Sequence, residues 1–367
     1  MNIKRTVYTA GAGLLAACMA AATASAQDFI EYVYGNSAGA VHSVSVANLK
    51  NNWVATGVTN SAGNLELIAW AANSGNTELL RKGAATDTTL GNLGSAPVST
   101  LAPTGKFVIT AVSSAGEVWL VPWSVSSTGA VTEGTPVFGG YGTAPHMAQI
   151  NSTHFLLAVV DNAGLLNLSS WVGTSTEFSE LSQITGVAAT YATVIAVVAP
   201  AQFATAIRTT GGDLQLDSWL VSANYEFTHQ ATISAGGISQ VDMAFWSFGV
   251  ATVVRNSLGD LEVIDWFVDA VDGAFTRGES TDLGAVSQVA ASTISGDLFT
   301  ASVNSTGDVD TGIWGSNGAQ LLQGASASQE AATLVSAAPL SSLYTVTATR
   351  TAAGKLQVDV WFGEYVP

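Results

Sequence analysis

The sequence holds a single cysteine, Cys18, so no intrachain disulfide can form and a disulfide-stapled secreted scaffold is excluded. Stability must come from burial. Histidine is almost as scarce: four in 367 residues, at 42, 146, 154 and 229, which leaves little from which to gather three or four metal ligands. Positive charge is short as well, with 11 Lys and Arg against 27 Asp and Glu and a net charge of −16. A field of that sign repels phosphate backbones and anionic lipid surfaces, so nucleic-acid binding is excluded. It suits solubility, or the attraction of cations and basic partners. The chain also lacks a GxSxG elbow, a P-loop and an HExxH helix. Acidic turns such as NSLGDLE lack the alternating oxygens and closing glutamate of a calcium loop. No cofactor and no metal site are expected.

Helical apolar periodicity is missing everywhere except at the start. MNIKR is basic, an Ala/Gly/Leu-rich run follows, and Ala24-Ser25-Ala26 precedes Gln27. That is the layout of an export signal over residues 1–26, too short and too poorly flanked for a membrane span. Leu15-Ala16-Ala17-Cys18 offers a second reading, a lipobox in which Cys18 carries a lipid anchor. Both place the protein outside the cytoplasm: periplasmic, extracellular or on the cell surface. Residues 27–367 then form one domain, with 48% apolar residues in the whole chain to fill a large core.

What the chain does have is a repeat. GNLELIAW (63–70), GDLQLDSW (212–219) and GDLEVIDW (259–266) follow one scheme, a turn glycine seven residues before a tryptophan. It occurs seven times, and the tryptophans at 70, 123, 171, 219, 266, 314 and 361 are 47 to 53 residues apart. Each copy contains four short segments with period-two alternation and β-branched residues, separated by Gly/Asn/Ser/Asp turns. Four antiparallel strands in a unit of about 48 residues describe a propeller blade, and seven of them a ring. The fold expected is therefore all-β, a seven-bladed β-propeller.

The ends fit that reading. GAVHSVSVANLKNNWVATGV (39–58) aligns without a gap on GAVSQVAASTISGDLFTASV (284–303), so the chain enters the first blade at its innermost strand. Before it stands DFIEYVY (28–34), a strand with no blade of its own, while the last copy stops after its third strand. Residues 28–34 are expected to close the ring as the outer strand of the last blade, which removes exposed sheet edges.

The repeated glycine supplies the positive φ that a tight hairpin turn needs. The repeated tryptophan has two readings: a filler between blades that gives its N–H to a backbone carbonyl, or a ring of sugar-stacking platforms. Arg208, Arg255 and Arg350 share a repeat position at the end of the second strand, held elsewhere by Thr59, Ser113, Asp161 and Asn304. Just past the turns stand Asp213, Asp260 and Asp308. Together they mark either solvated hairpin pairs worth about 0–1 kcal/mol or a binding rim on blades four to seven. Trp53, Trp119 and Trp246 fall outside the repeat position. Trp246, in FWSF (245–248), is an interaction site if exposed and a plug if buried. His42, His146 and Asp242 lie on or near innermost strands, where convergence would make a metal or acidic site at the channel mouth.

The blade scheme, with its GxxSxVA inner strand, FxTAV second strand and LxLxxW third strand, resembles the seven-bladed propeller superfamily, including its NHL-like, YVTN-like and lectin-like members. That resemblance implies a fold and no activity. The expected function is an exported, monomeric binding propeller for a carbohydrate or a protein. A propeller hydrolase or lyase and a pure scaffold remain open beside it.

Overall fold

Strand and turn residues alternate along the chain at the spacing of the repeat, and the computed structural model is all-β and antiparallel. It describes residues 29–73, 78–199, 201–246, 249–316 and 321–364; the expected export signal over residues 1–26, with Cys18, lies outside them. The first strand, β1 (Phe29–Lys50), is long and bent. Its second half pairs with β2 (Trp53–Asn60), then β3 (Leu65–Ala72) and β4 (Leu79–Thr86) complete a four-stranded unit. The second unit is β5 (Val98–Thr104), β6 (Phe107–Ser114), β7 (Glu117–Val125) and an outer strand broken into β8 (Val131–Glu133) and β9 (Val137–Tyr141). The third is β10 (Thr143–Gln149), β11 (His154–Val160), β12 (Leu165–Gly173) and the start of β13 (Phe178–Ala199).

From here each long strand serves two units, as outer strand of one and inner strand of the next. β13 leads into β14 (Gln202–Thr209), β15 (Asp213–Val221) and β16 (Phe227–Trp246). β16 leads into β17 (Gly249–Asn256), β18 (Asp260–Val268) and β19 (Phe275–Ile294). β19 leads into β20 (Asp297–Asn304), β21 (Asp308–Ser316) and β22 (Leu321–Ser341). β22 leads into β23 (Tyr344–Thr351) and β24 (Lys355–Glu364). The seventh unit takes its fourth strand from the other end of the chain: β24 pairs with the first half of β1, from Phe29↔Glu364 to Ala40↔Lys355.

Why the units adhere follows from the strands' alternation. Apolar residues on both faces of each unit meet those of its neighbours, giving seven buried clusters, one for each pair of successive units. One cluster joins Val346 and Val358 of the last unit to Val54 and Trp70 of the first. The seven turn glycines all have positive φ, between +76° and +92°. Each gives its carbonyl to an N–H that leads into the next unit: Gly63 to Leu93, Gly116 to Gly142, Gly164 to Ala189, Gly212 to Ile238, Gly259 to Val286 and Gly307 to Ala332. The seventh, Gly354, accepts from Val41 of the first unit at 2.8 Å.

The seven repeat tryptophans are at most 3% exposed. They are core, packed toward the preceding unit. Their N–H groups do not reach backbone carbonyls as expected. Six donate to a buried threonine hydroxyl on the second strand (Thr56, Thr110, Thr205, Thr252, Thr300 and Thr347) at 2.9–3.1 Å. In the third unit Leu157 stands at that position, opposite Ser169, and Trp171 donates to the Ser169 hydroxyl instead. A threonine side chain satisfies the indole without drawing a carbonyl out of the ladder. Thr252→Val would strand one buried N–H and is expected to lower unfolding free energy by about 1–3 kcal/mol. Urea denaturation measures this; an unchanged midpoint would mean the bond contributes nothing.

Candidate functional site

The arginines of the expected binding rim turn inward. Arg208 Nε donates to the Ile238 carbonyl at 2.7 Å, Arg255 Nε to Val286 at 2.6 Å and Arg350 Nε to Val41 at 2.8 Å. Those three residues also supply the N–H groups bound by the turn glycines. Each arginine thus clamps the entry strand of the neighbouring unit. Arg255 and Arg350 add bonds to Ser239 and Thr333. The pairing register also corrects the alignment: Val160 and Val303, opposite Leu166 and Val309, hold the arginine position, not Asp161 and Asn304. Among the described residues neither Asp213 nor Asp260 forms an ion pair with these arginines. Asp308 accepts from the Thr306 hydroxyl within its own turn, at 2.7 Å.

Trp246 is buried at 1% exposure and gives its N–H to Asp265 Oδ1 at 3.2 Å. It presents no ring to a ligand. Its neighbour Phe245 is 44% exposed, while Ser247 and Phe248 lie outside the described residues.

A cavity of about 330 Å³ lies among the inner strands. Register places Ser45, Ser99, His146, Asp242 and Ser336 at one equivalent level, and all five line it. Three of them reach an N–H of the following unit: Ser45 from Thr100, Asp242 from Ala291, and Ser336 from Val46. This polar layer joins inner strands to one another. Burial pushes the Asp242 carboxyl up to about 6, against the opposing pull of the Ala291 and Met243 N–H groups. Burial pushes His146 down to about 4, so it is neutral near pH 7. His42 is exposed and does not line the cavity, so the three residues do not converge there. Among the described residues no group of three His, Cys, Asp or Glu is placed to hold a metal ion.

Sequence reasoning missed a different place. The second unit's outer strand is interrupted, and its last piece, β9, continues through Gly139, Gly140 and Gly142 into the third unit. A side chain at Gly142 would strike the Val160 carbonyl, and Gly140 sits at φ +116°, so only glycine lets the chain cross here. The crossing leaves Phe138 40% and Tyr141 60% exposed. Trp119, Phe138 and Tyr141 form an edge-to-face series with centroids 5.8 and 5.1 Å apart. Phe138 and Tyr141 border a cleft of about 310 Å³ whose other wall carries Asp161, Asn167, Glu180 and Gln183. Gln183 Nε2 donates to Asn167 Oδ1 at 2.9 Å, and partial burial raises the Glu180 carboxyl above its ordinary range. Aromatic surface beside acceptors and amides recognises a ligand with apolar faces and hydroxyl edges. Trp119, one of the three tryptophans outside the repeat position, was the only available signal.

No protein family and no curated protein sequence matches the chain. Among solved structures it is similar to a protein from Lactobacillus plantarum solved by a structural genomics consortium, with a TM-score of 0.54 and 12% identity. That likeness covers 79% of this chain and 88% of the other. At such identity it concerns fold alone.

The buried acids set a pH dependence. Asp242 and Asp359 are raised to about 6 and Glu133 to about 7, all chiefly by burial. Their native forms hold protons more tightly than the unfolded chain, so their contribution is full below the unfolded pKa and fades as pH rises through 6–7. His146 runs the other way, losing stability as pH falls from 6.5 toward about 4. Thermal unfolding is expected to show a higher midpoint at about pH 6 than at about pH 8, with the difference reduced in Asp242→Asn. A midpoint that rises toward alkaline pH would contradict this.

Proposed function

We propose that the seven units are the blades of a closed β-propeller, and that this propeller is an exported carbohydrate-binding protein. Three features support closure: the β1–β24 pairing, the Gly354–Val41 bond and the Arg350 clamp on the same residue. Export rests on the sequence of residues 1–26.

The observation that carries the binding reading is the cleft between the second and third units, where exposed Phe138 and Tyr141 adjoin Asn167, Gln183 and Glu180. A sugar ring offers C–H faces to aromatic side chains and hydroxyls to carboxylates and amides. The buried repeat tryptophans cannot play that part, so the lectin-like reading moves from the repeat to the place where the repeat is broken. An acidic wall on a chain of net charge −16 favours neutral or cationic glycans over sulfated or phosphorylated ones.

The test is binding of the mature protein to a panel of soluble neutral glycans by calorimetry. Phe138→Ala and Tyr141→Ala should each weaken the best ligand about tenfold or more, roughly 1.4 kcal/mol, at unchanged thermal stability. If a glycan binds equally well to both variants, the cleft is not its seat. Binding of peptides but no glycan would turn the reading to a protein-interaction propeller.

A further inference from the structure

The sixth unit departs from the repeat in a second way, independent of the aromatic cleft. Opposite the second-strand position that accepts the indole bond, the third strand carries Ile68, Val121, Ser169, Asp217, Ile264 and Asp359 in the other units. In the sixth it carries Gly312, opposite Thr300. Two residues further along the second strand the others have Val58, Val112, Val159, Ile207, Val254 and Thr349, and the sixth has Ser302, opposite Asp310. Both changes fall on the face turned toward the fifth unit, the face that also carries Trp314.

The space left is a groove of about 370 Å³. One wall is apolar, Leu261 and Leu283 of the fifth unit, and the other is polar, with Thr300, Ser302, Asp310 and Gln323. Ser302 is 3% exposed, lines the groove and makes no side-chain hydrogen bond among the described residues, so its hydroxyl is available to a group seated there. Thr300 accepts from Trp314, which leaves its own proton to donate. Asp310 is held in place by Asn304 Nδ2 at 2.8 Å and by the Ser328 hydroxyl at 2.5 Å. A Cβ at Gly312 would lie 2.9 Å from Gln323 Nε2 and 3.2 Å from the Thr300 oxygen, so the glycine is what lets those polar atoms come together beside the groove.

We propose that this groove seats a neutral, hydroxylated ring of monosaccharide size. The apolar wall takes the ring's C–H face; Ser302, Thr300 and Gln323 bind its hydroxyls; Asp310 accepts a hydrogen bond from one hydroxyl and disfavours anions. The volume matches the lower end of small-molecule pockets, about 300 Å³. The seat lies at the junction of the fifth and sixth units, away from the cleft between the second and third, and rests on no property of that cleft.

The experiment is saturation-transfer NMR of the mature protein with D-glucose, D-galactose, D-mannose and N-acetyl-D-glucosamine, in wild type and variants. Ser302→Val with Gly312→Ile restores the residues of the first and fifth units and fills the groove. We expect at least one sugar to bind with a Kd near 1 mM, about −4 kcal/mol. The filled variant should bind it at least tenfold more weakly while still showing a cooperative thermal unfolding transition, which separates loss of the site from loss of the fold. Gln323→Ala, at an exposed position that cannot unfold the chain, should weaken it severalfold, and Tyr141→Ala should leave it unchanged. The proposal is overturned if none of the four sugars binds below about 50 mM, or if the filled variant and Gln323→Ala both bind like wild type. Loss of all binding in Tyr141→Ala alone would also overturn it while leaving the aromatic cleft intact as a sugar site.

Discussion

Everything in this structure hangs on one bond made seven times, from a turn glycine's carbonyl to the N–H that opens the neighbouring unit. The glycine must sit at positive φ, a conformation that costs any other residue roughly 1–2 kcal/mol, and in doing so it faces its carbonyl outward from its own hairpin. The bond thereby fixes the height of the neighbouring inner strand. Once that level is set, the polar layer of Ser45, Asp242 and Ser336 comes into register, and the arginines at 208, 255 and 350 find their carbonyls. The tryptophans then close against the unit behind them. Their burial is large, but their position is inherited from the turn.

This explains what could be read from the amino acids alone. Glycine and tryptophan seven apart encode one hairpin, and repetition of a hairpin at constant spacing encodes strand number, order and direction. The leftover strand at 28–34 and the truncated last copy pointed to the β1–β24 pairing for the same reason: chain counting needs no side-chain detail. What escaped was the choice of partner. An arginine beside an aspartate reads as a surface pair, yet Arg208 ignores Asp213 for the Ile238 carbonyl, because the guanidinium can reach the next unit and the pair in water gains little. Likewise nothing in a lone tryptophan says that a threonine thirteen or fourteen residues earlier will accept its hydrogen bond.

The candidate sites were the least legible part, for a related reason. Repeat analysis brings out what units share, whereas both clefts arise where one unit differs: the glycine crossing at 139–142 and the small residues Ser302 and Gly312. An aligned reading treats such positions as noise. Trp119 was visible as an outlier, but Phe138 and Tyr141 meet it only because the outer strand is split and shifted. His146 and Asp242 do share a level in the cavity, although Asp242 is engaged there by the Ala291 N–H of the next unit.

The pairing of Phe29 with Glu364 has a mechanical side. The two ends of the fold leave from the same corner of one antiparallel pair, so a pull between them loads the hydrogen bonds one after another, as in opening a zipper. The second half of β1 is paired with β2, in a different unit. Stretched end to end, the fold therefore yields first at the pair that joins its two ends.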